Sequence, residues 1–451
     1  MGLNLIKTLS FFSTALLSSM SKDVRKTKGT LENNLESKIE NRFKLGDVNP
    51  DFLYWFSGFT DAEGNFLITL DRNYVKFRFK ISLHIDDVEV LNTIKSNLGI
   101  GNIVIENSRN RCSFVIERYA DIKDVICVIF KNFPLHTSKK LDFEDFYQAV
   151  LIPSGYVKDK KNLSDAELDR ILSLKNGMNS KREKFSYFST ESQIIINPNW
   201  FIGFLEGEGT FGIKTGSALY LQVAQKNTSP DSLNAIKTFL IQLPNNALQN
   251  SKILPLNVIS TINLKTNVVS LVVTSVDTLY YYVLPFLDSS KMYTRKAIDF
   301  KLWRVALLLK IYGYYFLPEG KKLFLDISDI LNKRYSTGSI ENIDEIVTDI
   351  FERSKTILAK DSPFDVEANI SHIANVRKWS IRNRSENPKV VYIYANDDIV
   401  KGSPFPSFSS AHKALGLKSS SNTCNRYIDT GRLYKNKYIF TSKPIDRTSK
   451  D

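Results

Sequence analysis

Tyr54-Trp55-Phe56-Ser57-Gly58-Phe59-Thr60-Asp61-Ala62-Glu63-Gly64-Asn65-Phe66 is answered 145 residues later by Asn199-Trp200-Phe201-Ile202-Gly203-Phe204-Leu205-Glu206-Gly207-Glu208-Gly209-Thr210-Phe211. Other landmarks recur in the same order. Val90-Leu91-Asn92-Thr93-Ile94-Lys95 corresponds to Ser232-Leu233-Asn234-Ala235-Ile236-Lys237 at an offset of 142. Phe133-Pro134-Leu135, with Lys139-Lys140 and Asp142-Phe143 behind it, corresponds to Leu284-Pro285-Phe286 with Lys291 and Asp299-Phe300. Lysine follows proline by six residues in both, which pairs Lys140 with Lys291, although Lys139 is an alternative in the first copy. Three landmarks in one order imply two copies of one domain of roughly 120–150 residues, related by a pseudo-twofold axis.

Inside the first copy, the residues before Gly64 read as a helix that stops at the glycine. Lys76 to His84 alternates strictly: Phe77, Phe79, Ile81 and Leu83 on one face, and Lys76, Arg78, Lys80, Ser82 and His84 on the other. One face belongs to a core and the other is offered to an anion. Asp87–Leu98 reads as a helix, Ile103–Glu106 and Arg111–Glu117 as a second strand pair, and Ala120–Asn132 as another helix. The fold class predicted is therefore α+β, with two αββαββα half-domains.

The 451 residues contain 61 Lys+Arg against 48 Asp+Glu, a formal net charge of +13, which suits a polyanionic partner, nucleic acid before an anionic membrane. Three scattered cysteines and four histidines, with no pair at ligand spacing, argue against structural zinc and against a disulfide framework. The longest apolar run, Leu302–Leu317, is broken by Arg304 and Lys310 and reads as a buried helix, not a membrane span.

Each repeated helix ends in Glu-Gly, with a further acid two residues earlier: Asp61 before Glu63, and Glu206 before Glu208. An acid in the last turn opposes the helix dipole, at a cost of roughly 0.3–1 kcal/mol. A hard divalent cation, Mg²⁺, bound by Glu63 and Glu208 beside a phosphate would offset it. Small residues at Ser57, Gly58, Ala62, Gly203 and Gly207 would let the two helices pack side by side, bringing the two acids to the bottom of one seam.

These paired stretches, over roughly residues 50–310, resemble the two motifs of a single-chain LAGLIDADG homing endonuclease of the kind encoded in mitochondrial group I introns. The resemblance implies that two sheets form a saddle over the DNA major groove and that Glu63 and Glu208 bind the catalytic metals. By the same resemblance Lys140 and Lys291 support the attacking water. Gln225 resembles a polar active-site position whose counterpart in the first copy is Leu83, so the two active sites are expected to be unequal. Lys76, Arg78, Lys80, Ser82, Arg111, Lys214 and Gln222 are the expected DNA contacts of the saddle. The implied activity is a staggered, metal-dependent double-strand cut at a long, asymmetric target by a monomer, in the mitochondrion. A maturase that binds group I intron RNA is the alternative, and a non-catalytic DNA-binding regulator is a weaker third.

Domain boundaries follow. Residues 1–48 read as a leader, weakly like a targeting segment; 49–160 as the first half-domain; 161–195 as a linker; 196–317 as the second; and 318–387 as a helical extension and basic linker. Residues 388–445 read as a separate basic module, with a strand at 390–394 and helices at Ser409–Leu415 and Ser421–Tyr427. Val391-Tyr392-Ile393-Tyr394, Phe408 to Leu417 and Arg432 to Lys435 in it resemble the helix-turn-helix-like DNA-binding repeat appended to intron-encoded nucleases, which implies contacts from Ser421 and Arg426.

Overall fold

The computed structural model describes residues 45–71, 74–152, 163–183, 185, 193–214, 217–246, 253–333, 342–366, 370–382 and 390–445. The expected leader lies outside them as far as residue 44, as do parts of both linkers.

The first motif helix, Pro50–Glu63 (α1), opens on the Asn49 side chain, which accepts from Asp51 N–H at 2.8 Å, and has proline at its first position. Strands Gly64–Asp71 (β1) and Tyr74–His84 (β2), helix Val88–Leu98 (α2), and strands Asn102–Glu106 (β3) and Arg111–Ile116 (β4) follow, in an antiparallel sheet of order β1-β2-β4-β3. Phe77, Phe79 and Ile81 are buried and the alternate side chains of β2 lie on the opposite face, as the alternation predicts, whereas Leu83, expected with the core residues, is half-buried at the end of the strand. A helical run over 119–132, widened by a π turn at Ile122–Ile126, leads to helix Lys139–Leu151 (α3), which the αββαββα order did not include. Phe56, Phe66, Phe79, Phe130, Phe143 and Phe146 interlock as the core of this half.

Helix Asp165–Asn176 (α4) stands in the stretch expected to be a linker, and it is part of the domain. Behind it Asn179, at φ +56°, donates from Nδ2 to Phe66 O (2.9 Å) and from its backbone to Asp142 (2.9 Å). The second copy repeats the arrangement. Helix Pro198–Glu208 (α5), capped by Asn197, leads to strands Gly209–Ile213 (β5) and Leu219–Lys226 (β6), helix Pro230–Ile241 (α6), and strands Ile259–Asn263 (β7) and Val268–Val273 (β8), in order β5-β6-β8-β7. A second π turn, Leu279–Val283, precedes helix Lys296–Ile311 (α7). Helix Pro318–Ile330 (α8) then brings Asn332, at φ +60°, to Phe211 O (2.6 Å) and Asp299 (3.2 Å), the counterparts of Phe66 and Asp142. Packing against each half therefore continues to about residues 182 and 333, past the expected boundaries at 160 and 317. Sequence similarity had faded there while the packing had not.

Two helices, Ile343–Leu358 (α9) and His372–Arg382 (α10), complete the expected extension. The last module is more than a pair of helices. Strands Tyr392–Ala395 (β9), Asp398–Ile399 (β10) and Tyr438–Thr441 (β11) form a sheet of order β10-β9-β11, against which Phe408–Ala414 (α11) and Thr423–Tyr427 (α12) pack around Val391, Ile393, Cys424 and Phe440. Buried His412 joins the two helices: its Nε2 accepts from Cys424 N–H (3.1 Å) and its Nδ1 lies 3.3 Å from Ser419 O. All three cysteines are buried and free, and no helix of the described residues is long and apolar enough to cross a membrane.

Candidate active site

The site begins with the crossing of α1 and α5. A Cβ on Gly58 would stand 1.9 Å from Trp200 O, and one on Gly203 2.0 Å from Trp55 O, so backbone touches backbone at two related points. Ser57, beside Gly58 in sequence, donates from Oγ to Phe133 O (2.9 Å) within its own half. Gly64 and Gly209 close the helices in extended conformation (φ −74° and −84°), not as left-handed stops. What they supply is room, since a Cβ there would meet Thr60 O at 2.8 Å and Leu205 O at 2.4 Å.

The acids two residues before each terminal glutamate serve the scaffold. Asp61 is buried and accepts from His136 N–H (2.7 Å), Thr137 N–H (3.1 Å), Thr137 Oγ1 (2.5 Å) and Trp200 Nε1 (3.1 Å). Glu206 accepts from Tyr293 N–H (2.8 Å), Thr294 N–H (2.6 Å), Thr294 Oγ1 (2.7 Å) and Trp55 Nε1 (2.5 Å). Each acid thus holds its own half's Thr-x-Lys turn and receives the other half's tryptophan. Burial raises both carboxyl pKa values, against the pull of these donors.

The Thr-x-Lys turns position the lysines. Thr137 Oγ1 accepts from Lys139 N–H and Thr294 Oγ1 from Lys296 N–H, each at 3.2 Å. Lys139 Nζ donates to Gly64 O and reaches Ala62 O at 3.5 Å; Lys296 Nζ donates to Gly209 O and reaches Gly207 O at 3.5 Å. Each ammonium keeps a third N–H beside the carboxylates. The structure therefore corrects the expected pair: Lys139 and Lys296, not Lys140 and Lys291, stand at the motif-helix ends. Lys140 is half-buried on α3, where its charge acts on His136, and Lys291 is exposed with Nζ 4.6 Å from the Tyr293 ring centroid. Counting from proline failed because Lys296 lies eleven residues after Pro285 whereas Lys139 lies five after Pro134. The recurring Thr-x-Lys triplet was the signal that would have found both.

Glu63 and Glu208 are different from the scaffold acids. Both are half-buried, and neither accepts a hydrogen bond from, or forms an ion pair with, another described residue. A methyl on Gly207 would lie 3.3 Å from Glu63 Oε1, which puts that carboxylate against the opposite motif helix. Burial raises the Glu63 pKa against the pull of Lys139 and Lys296; burial and then the neighbouring Glu63 raise that of Glu208. Burial lowers both lysines, against the pull of the acids around them. A cleft of about 250 Å³ opens here, lined by Glu63, Leu83, Asp87, Gly207, Thr294 and Lys296 among others. No group of three His, Cys, Asp or Glu suited to a metal occurs among the described residues. The two unpartnered carboxylates fit a hard divalent cation whose other ligands come from water and substrate.

The two sides of the seam are not identical. Gln225 pairs with Val269 in the β6–β8 ladder, and Leu83, the matching residue of β2, pairs with Cys112 and lines the cleft. Arg295 clamps Asp87 (3.1 and 3.2 Å) and Asp86 (2.7 Å) across the halves, where the related pair, Ser138 and Thr228, meets as hydroxyls at 3.2 Å.

Of the expected DNA contacts, Lys76, Arg78, Lys80 and Ser82 share the face of β2 away from the core, and Arg111 stands across from His84 on β4. Arg78 is paired with Glu117, and Ser82 Oγ lies 3.0 Å from Ser113 Oγ. In the second sheet Lys214 is exposed over the Tyr220 ring at 5.7 Å, and Gln222 donates to Ser270 Oγ at 3.3 Å. Ser421 Oγ lies 2.8 Å from Thr423 Oγ1, and Arg426 is half-buried; burial raises the Tyr315 pKa against the pull of the Ser217 hydroxyl and the Arg426 charge.

Residues 56–150 and 201–307 each match the family profile of the LAGLIDADG endonuclease. The chain is 27% identical to the uncharacterized mitochondrial protein RF1 of Saccharomyces cerevisiae, over 99% of this chain and 90% of that one. It is 29% identical to the probable intron-encoded endonuclease Cox1-I1b of Schizosaccharomyces pombe, over 64% and 71% respectively. Among solved structures, I-SmaMI bound to an uncleaved DNA target in the presence of calcium ions shares the fold, with a TM-score of 0.52 and 19% identity over 62% of this chain and 98% of that one. Two matched segments, each with its motif helix, its four-stranded antiparallel sheet and its acid–lysine pair, identify this chain as carrying two domains of the LAGLIDADG endonuclease family.

Proposed function

We propose that the protein is a site-specific double-strand DNA endonuclease that makes a staggered, Mg²⁺-dependent cut in the intron-lacking form of its host gene. The observation that carries this reading is the pair Glu63 and Glu208, without a hydrogen-bond or ion-pair partner among the described residues, at the ends of two crossed helices, each end bearing a half-buried lysine. Glu63 and Glu208 would hold the cation, which when bound supplies Lewis-acid stabilisation of the phosphate charge and lowers the pKa of water.

The chain's own groups do the rest. Two backbone carbonyls fix each lysine Nζ, so its remaining N–H can orient the attacking water or bind the charge that develops on the phosphate. Burial eases loss of the proton from Nζ, so a neutral lysine can also take one from that water. Lys76, Lys80, Arg111 and Lys214 contribute phosphate and base-edge contacts along the sheets, and binding weakens steeply with salt. I-SmaMI with DNA and calcium supports a duplex substrate and a divalent cation. Intact acids and lysines, and a relative named as an intron-encoded endonuclease, favour the nuclease over the RNA maturase. The yeast relative named as mitochondrial supports the mitochondrion as the place of action.

The test uses the purified full chain, Mg²⁺ and a supercoiled plasmid carrying the intron-lacking host gene, with ends mapped by sequencing. One staggered break, abolished by EDTA, is expected. No break, together with tight binding of the intron RNA, would overturn the reading in favour of the maturase.

A further inference from the structure

Arg432, in the loop between α12 and β11 of the C-terminal module, bonds Asp329 on α8 and lies 3.6 Å from Asp326 one turn earlier. Asp326 also accepts from Arg353 Nη1 of α9 (2.8 Å), and Arg353 Nε donates to Asp349 (2.8 Å). Arg432 and Asp326 are only 23% and 20% exposed, which lifts the contact above a solvated surface pair. Aligned on Asn179 and Asn332, the counterparts of Asp326 and Asp329 in the first half are Ser173 and Asn176 of α4. The acidic pair is thus found only on the half that carries the module.

The seat is continuous with the second sheet. Phe324 of α8 packs on Tyr315 at 4.9 Å, and the charge of Arg426, on the module, acts on that phenol. Tyr315 Oη and Lys310 Nζ each lie 2.9 Å from Ser217 Oγ, in the β5–β6 connection next to Lys214. On the module itself Lys413, Lys418, Lys435 and Lys437 are exposed.

We propose that Arg432 fastens the module to α8, so that the saddle and the module read two tracts of duplex DNA held at one fixed spacing. This rests on the endonuclease reading and adds a property it does not contain, since a freely tethered module would accept many spacings. Arg432 is a positioning residue here, acting through where it puts the lysines of the module.

The test is hydroxyl-radical footprinting of the full chain on the intron-lacking host duplex, followed by Kd measurement on the same duplex with about 5 bp inserted between the protected tracts, roughly half a helical turn. The insertion should weaken wild-type binding about tenfold or more by removing the module's share. Arg432→Glu should bind the native duplex more weakly and lose its sensitivity to the insertion, and adding Asp326→Arg and Asp329→Arg should restore both. Equal affinity of the wild type for both duplexes, an unchanged spacing profile for Arg432→Glu, or protection of a central tract alone would each overturn the proposal and leave the endonuclease standing. Absence of both cleavage and footprint would sink the endonuclease reading and this one with it.

Discussion

The two halves of the nuclease core agree in their machinery and differ in its surroundings. Trp55 and Trp200, Asp61 and Glu206, Thr137 and Thr294, and Lys139 and Lys296 occupy the same places in mirrored networks. One packing problem, two helices in backbone contact with acids at their ends, has been solved twice in the same way. Around it the halves diverge: Leu83 against Gln225, a charged Arg295 clamp against two hydroxyls, and His136 against Tyr293 on the tryptophan of the opposite helix (4.9 and 4.5 Å). The seam tolerates little, because a methyl on either glycine would meet backbone, whereas the flanks are free to differ.

The comparison can be broken at three points. The largest effect belongs to the shared acids: Glu63→Gln or Glu208→Gln should each lower linear product at least ~10³-fold. Mapping any residual nick by strand would show whether one acid serves one cut, and undiminished linear product from either variant would remove that acid from the site. Next comes the seam. Gly58→Ala and Gly203→Ala should each destabilise the protein by roughly 3 kcal/mol, because the added methyl meets a carbonyl at 1.9 or 2.0 Å. Thermal denaturation should show two similar falls in Tm, and an unchanged Tm in either would contradict the close crossing.

The smallest effect separates the halves by pH. Burial, aided by the Lys140 charge, pushes the His136 pKa down to about 4, so the folded protein holds fewer protons there than the unfolded chain. The stability this confers is complete above the unfolded value near 6.5 and is lost as pH falls towards 4. Its ceiling is on the order of 3 kcal/mol. Urea midpoints compared at pH 7.5 and pH 5 should therefore fall more for the wild type than for His136→Tyr. His372, also pushed down to about 4, retains part of the acid sensitivity in both.

The repeated helices, the order of the strands and the terminal glutamates could be read from the chain because each leaves a periodic or duplicated trace. The inward acids could not be sorted from the outward ones that way. Asp61 and Glu63 are two positions apart on one helix, and only the threonine and tryptophan donors, from segments about 75 and 140 residues away, make the first structural. Counting from proline passes over Lys296 and leaves Lys139 only an alternative, because proline is a poor landmark when the loop behind it changes length. The helices α4 and α8 were assigned outside the domains because their sequences had drifted while Asn179 and Asn332 still held the same carbonyls. In the tail, β11 carries no duplicate and was not read at all.

The exchanged tryptophans set a timetable for synthesis. Trp200 reaches Asp61 only after 145 residues beyond Trp55 have been added, roughly 7–30 s of elongation at about 5–20 residues per second. Once Phe146 has been added, 54 residues before Trp200, the first half has all the residues of its sheet and its phenylalanine core but lacks the partner helix that covers Gly58 and donates to Asp61. The nascent first half therefore leaves that helix face uncovered until its own copy has been made, and the seam cannot close before then.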